Sequence, residues 1–184
     1  MRSKPIKIIL LLALAVAVAI VGKFIYDDRA ATGGRENIAA SELKAGDTAP
    51  DFSAKLLSGD AFTLSDHRGR VVFLNFWASW CSPCVAEMPA VQQLSKKYAD
   101  SVVFIGMNYA ENEGKVQDFI SERGFTYSIG LDEAGDIAKN LYPSDGIPYT
   151  LIIDAEGVIS DIFLGGGDKM YNVFDAAITK ALNR

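Results

Sequence analysis

Hydrophobic and polar positions divide the chain into three stretches. Ile8 to Gly22 (IILLLALAVAVAIVG) is unbroken apolar sequence. Asp27 to Ser41 is polar and contains Gly33-Gly34, which reads as a linker. From Leu43 onward, short apolar runs alternate with amphipathic segments, the pattern of a folded domain. The expected boundaries are a membrane segment over 1–26, a linker over 27–42 and one domain over 43–184. Within the domain, Asp51 to Leu57 and Asp60 to Leu64 read as short strands joined by a Ser58-Gly59 turn. Val71 to Trp77 (VVFLNFW) and Val102 to Asn108 (VVFIGMN) are continuous apolar runs, as buried central strands require.

A helix is predicted over Ser82 to Tyr98, with Val85, Met88, Val91, Leu94 and Tyr98 as its core face and Pro89 as a kink. A second covers Glu113 to Arg123, stopped by Gly124. Phe125 to Leu131 is a strand candidate and Glu133 to Leu141 a short helix. Tyr149 to Asp154 and Val158 to Leu164 form a hairpin across Ala155-Glu156-Gly157, and a helix over Asp168 to Leu182 closes the domain. The order βαβ, helical insert, ββα predicts an α/β fold with a mixed central sheet covered by helices.

The N-terminal run changes the picture of where the domain works. Basic residues precede it and Lys23 follows. Counting from Ile6 to Tyr26 gives 21 residues, enough to span a bilayer if Lys7 and Lys23 reach the two interfaces. Basic flanking before the run places the N-terminus in the cytoplasm and the domain outside it. An uncleaved signal anchor is the leading reading. A signal peptide cleaved near Ala17 or Ala19 is the alternative, and it exports the domain equally.

The net charge is −5, yet the first 29 residues carry five basic against two acidic groups. The domain is therefore acidic and a poor match for phosphate backbones, which excludes a nucleic-acid partner. Two cysteines and one histidine, His67, are too few for a structural zinc site, so no metal is expected. His67 precedes a turn at Gly69 and reads as structural. Gly165-Gly166-Gly167 is not followed by Gly-Lys-Ser/Thr, which excludes a phosphate loop.

The candidate chemistry lies in Cys81-Ser82-Pro83-Cys84, where a buried strand passes into a helix. Residues three apart on a first helical turn lie within disulfide range. Unpaired amides and the positive end of the helix dipole favour the Cys81 thiolate, the reactive form. Pro83 suits that first turn because its missing N–H would find no partner there. Cys81 is the expected nucleophile and Cys84 the resolving thiol. An inert staple is a weaker reading, because closing so short a loop removes little chain entropy.

Phe76-Trp77-Ala78-Ser79-Trp80-Cys81-Ser82-Pro83-Cys84 resembles the thioredoxin superfamily. More narrowly, the chain resembles the ResA/TlpA-like membrane-anchored oxidoreductases from about Ala45 to Leu182. Ala49-Pro50-Asp51-Phe52 is similar to that group's N-terminal extension. Asn75 to Cys84 with Glu87 and Pro89 is similar to its active-site segment, and Gly146-Ile147-Pro148-Tyr149-Thr150 to its cis-proline loop. The resemblance implies a thioredoxin-like fold with an N-terminal β-hairpin extension and a central helical insert. It also implies a cis Pro148 facing the cysteines, and Ile147 offering backbone hydrogen bonds to an extended substrate.

Glu87, one turn beyond Cys84, is implied to be semi-buried and to tune the thiols; an exposed helix glutamate is the plain alternative. Trp80 is expected to shield the cysteines, with Pro83 beside it at the substrate face, and Trp77 to pack beneath. The glycine run is implied to border the active-site loops. The function expected is extracytoplasmic reduction of protein disulfides, such as those of apocytochrome c. A membrane thiol carrier would supply the electrons and no cofactor is needed. A disulfide-forming oxidase, a thiol peroxidase and a non-catalytic binding module are the competing classes.

Overall fold

The computed structural model describes residues 43–184. The expected membrane segment (1–26) and linker (27–42) lie outside the described residues. Seven strands form one mixed sheet in the order β2-β1-β5-β4-β3-β6-β7. They are β1 (Ser53–Leu56), β2 (Ala61–Thr63), β3 (Val71–Trp77), β4 (Val102–Tyr109), β5 (Ser128–Asp132), β6 (Tyr149–Ile153) and β7 (Ile159–Leu164). β3, β4 and β5 run parallel, whereas β6, β7 and the β1–β2 hairpin pair antiparallel. The helices are α1 (Ser82–Lys97), α2 (Glu113–Arg123) and α3 (Tyr171–Leu182).

All seven β3 residues are buried, and their alternation builds two cores. Val71, Phe73 and Trp77 face the helices. There Phe73 packs on Phe104 and Phe174, with ring centroids 5.0 and 5.1 Å apart. Burying each such ring contributes roughly 2–3 kcal/mol. Val72, Leu74 and Phe76 face the N-terminal extension and the segment around Tyr142. Tyr142 packs on Phe52 and Phe76, and its hydroxyl donates to the Pro50 carbonyl, which ties the insert to the extension. Asn75 shares the helix-facing side of β3 by the same alternation, although it is polar and 1% exposed.

Several elements differ from the periodicity reading. The expected helix over Glu133 to Leu141 shrinks to one turn, Ile137–Leu141. Gly135 takes φ +74°, and the Asp132 carboxylate accepts from the Ile137 and Ala138 amides at 3.2 and 2.9 Å, so the preceding residues form a turn. β5 starts at Ser128 rather than Phe125, and α3 at Tyr171 rather than Asp168. Helix α1 is assigned without a break through Pro89. Its buried residues are Cys84, Glu87, Met88, Ala90, Val91 and Leu94, whereas Val85 is only half-buried. His67 is structural: its ring stacks on Phe62 at 4.7 Å, and burial and then Arg70 lower its pKa.

Candidate functional site

Cys81 closes the turn after β3 and caps α1. Its extended backbone and its sulfur, which accepts the Cys84 amide at 3.3 Å, start the helix. Pro83 occupies the first turn and is exposed. The two cysteines are joined as a disulfide with Cα atoms 5.3 Å apart. Cys84 is fully buried and Cys81 is 5% exposed, so the sulfur nearer the surface is also the one facing the amide and the helix dipole.

The β3–β6 register places Phe76 opposite Tyr149, which sets the residue before β6 against the start of α1. That residue is Pro148, and the Ile147–Pro148 bond is cis, as the resemblance implied. The Ile147 carbonyl oxygen lies 3.6 Å from the Cys81 sulfur. In the disulfide this is a contact; the reduced thiol can donate across it. The Gly165 amide donates to the Pro148 carbonyl at 2.8 Å, bringing the glycine run against the same loop.

Glu87 lies within the core rather than on the helix surface, and it is fully buried. One carboxyl oxygen accepts from the Asn75 amide at 2.9 Å; the same nitrogen donates to the Thr150 hydroxyl at 2.9 Å. The other oxygen, Oε2, has no hydrogen-bond partner among the described residues. Burial raises the Glu87 pKa to about 8, with the Asn75 bond opposing the shift. The carboxyl is therefore mostly neutral at pH 7 and able to exchange a proton near the thiols.

Trp77 packs in the same core as both cysteines, while Trp80 stands 59% exposed beside Cys81. Trp80 and Ile147 share a cavity of about 520 Å³ with Phe76, Tyr109, Tyr142 and Pro143. The aromatic lining suits apolar side chains near the disulfide.

Glu111 was not anticipated. It follows β4 in a polar run that reads as plain loop. Its carboxylate accepts from the Ser79 amide (2.7 Å) and hydroxyl (2.6 Å), from Asn108 (2.9 Å) and from Lys115 (2.7 Å). Ala110 before it holds φ +56°, a left-handed conformation that costs about 1–2 kcal/mol in a residue with a Cβ. Burial would raise the Glu111 pKa, but the bonds from Lys115, Ser79 and Asn108 outweigh it and lower it to about 2. Glu111 thus fixes the Ser79-Trp80 turn that presents Cys81. Glu111→Ala is expected to lower stability by about 2–3 kcal/mol in urea denaturation at pH 7. Because the folded pKa is depressed, this stabilisation is present above about pH 4.5 and fades as pH falls toward 2. A variant as stable as the parent at pH 7 would remove Glu111 from this role.

The sequence matches the Redoxin family over residues 44–178. The thioredoxin-like protein YneN of Bacillus subtilis is 41% identical over 126 residues, covering 67% of this chain and 73% of that protein. The thiol–disulfide oxidoreductase ResA of Geobacillus kaustophilus is 39% identical over 121 residues, covering 65% of this chain and 69% of that protein. The crystal structure of a putative thiol:disulfide interchange protein DsbE from Chlorobium tepidum superposes with a TM-score of 0.71 at 31% identity. It covers 77% of this chain and 99% of that one. With the cysteine pair at the head of α1 and these relatives around it, the chain belongs to the Redoxin family, as a ResA/TlpA-like thiol–disulfide oxidoreductase of the thioredoxin superfamily.

Proposed function

We propose that this oxidoreductase works as a reductant of protein disulfides outside the cytoplasm, held to the membrane by its N-terminal apolar run. The observation that carries the direction is the buried Glu87 carboxyl one turn beyond Cys84. A strong oxidant stabilises its thiolate form; a buried carboxyl in this position supplies no positive charge to do so, and its ionised fraction opposes thiolate formation and lowers the reduction potential. The Cys81 thiolate attacks a substrate disulfide, forming a mixed disulfide and releasing one substrate thiolate. Cys84 gives its proton to the ionised fraction of Glu87 and attacks the Cys81 sulfur, releasing the second substrate thiolate. Two electrons pass to the substrate and the Cys81–Cys84 disulfide remains, to be reduced by a membrane thiol carrier.

In this reading the substrate strand hydrogen-bonds the backbone at Ile147 beside Pro148, and Trp80 and Pro83 form the rim it crosses. Substrates of this class are exported proteins whose cysteines must stay reduced, apocytochrome c among them. The test is the reduction potential of the pair at pH 7. A value at or below about −220 mV supports a reductant, and one near about −120 mV makes the protein an oxidant.

A further inference from the structure

Gly165, Gly166 and Gly167 follow β7 without a phosphate-loop ending. Gly165 (φ +80°) and Gly167 (φ +156°) hold conformations that favour glycine. Gly166 does not, so its backbone suits any residue and only space demands glycine. A Cβ there would overlap Glu87 Oε2 and lie 3.0 Å from Pro148 Cγ. Gly166 is itself exposed, whereas Glu87 is fully buried. One bare backbone layer therefore separates the partnerless carboxyl oxygen from solvent.

The other neighbours seal the carboxyl off. Asn75 and Thr150 are each 1% exposed and Cys84 is fully buried. The ionisable groups to be weighed against Glu87 are Cys84, one turn earlier on its own helix and held in the disulfide, and Tyr127 ahead of β5, which is itself buried. Asn75 from β3, Thr150 from β6 and the glycine run carry no charge. In the relay, a proton taken from Cys84 must nevertheless exchange with water between the oxidative and reductive halves of the cycle.

We propose that Gly166 is a positioning residue for Glu87: its bare backbone is the outer wall of the carboxyl pocket, and the proton of Glu87 exchanges with solvent across that wall. The inference rests on the proton-relay reading of Glu87. The disulfide-forming half of the cycle then balances, with the proton leaving the Cys84 thiol for a Glu87 oxygen and passing to water as the carboxylate re-forms; a proton returns to Cys84 by the same route when the thiol carrier reduces the disulfide.

The experiment is the pH profile of iodoacetamide alkylation of Cys81 in the reduced full chain, for Gly166→Ala, Glu87→Gln and the double variant. Gly166→Ala is expected to change the pH 7 rate by about threefold or more and to shift the midpoint, whereas Gly166→Ala in the Glu87→Gln background adds nothing. An unchanged profile in Gly166→Ala, or an equal change in both backgrounds, overturns the inference while leaving the relay intact. A profile unaltered by Glu87→Gln removes the relay itself and the inference with it. Glu87→Asp, one methylene shorter, makes room for the added Cβ. If Gly166→Ala does not fold, restoration of folding by Glu87→Asp supports the contact, and continued failure overturns it.

Discussion

Cys84→Ser is expected to stop turnover and leave Cys81 bound to substrate as a stable mixed disulfide, visible by mass spectrometry without reductant. Cys81→Ser should stop turnover and trap nothing. Each loss should be roughly 10³-fold or more, the scale for removing an obligatory nucleophile. The asymmetry follows from position. Cys81 is 5% exposed and faces the Cys84 amide and the Ile147 carbonyl, whereas Cys84 is fully buried one turn inside α1. A substrate sulfur can approach the first and not the second. Both variants lose the same four-residue disulfide loop, worth about 2 kcal/mol. Their stabilities should therefore fall together, and only the trapping separates them. Substrate captured through Cys84 in the Cys81→Ser protein would reverse the assignment of nucleophile and resolving thiol.

Stability of the oxidised protein should depend on pH through Glu87, and Glu87→Gln should remove that dependence. The folded pKa is about 8 and the ordinary value is 4.5, so between those pH values the folded state binds the extra proton. Stability then falls as pH rises through this window. Below about 4.5 both states are protonated and the effect vanishes; above about 8 it is complete, on the order of 5 kcal/mol. Urea denaturation at pH 5 and pH 9 reads it directly. Parent and Glu87→Gln should unfold at similar urea concentrations at pH 5 after allowance for one buried amide. At pH 9 the variant should be the more stable. A parent protein whose stability is flat from pH 5 to 9 would mean that the carboxyl is solvated and its pKa ordinary.

Local signals located most of the site. Cys81-Ser82-Pro83-Cys84 at a strand-to-helix junction is legible because the spacing, the helix start and the tolerance for proline are properties of a few consecutive residues. β3 emerged with the expected bounds because a strand buried on both faces is apolar at all but one of its positions, Asn75. Glu111 was illegible because its function lies in reaching back 32 residues to Ser79, and Ala110 adopts its left-handed conformation without a glycine to announce it. The Glu133 to Leu141 segment misled because its apolar spacing is helical, while Asp132 and Gly135 hold its first half in a turn.

The sequence by itself determined the fold class, the redox pair, the helix at whose head it stands and the position of Glu87 one turn beyond, because periodicity and short-range spacing encode these. Tertiary structure alone decided that Glu87 is buried completely, with one oxygen lacking a partner among the described residues, that Asn75 reaches it from β3, and that Gly166 lies against it from beyond β7. It also set the Ile147 carbonyl against Cys81 across 66 residues of chain. The reason is physical. Desolvation and contact depend on which surfaces the sheet brings together, and strand order β4-β3-β6-β7 joins residues whose sequence neighbours hold no record of one another.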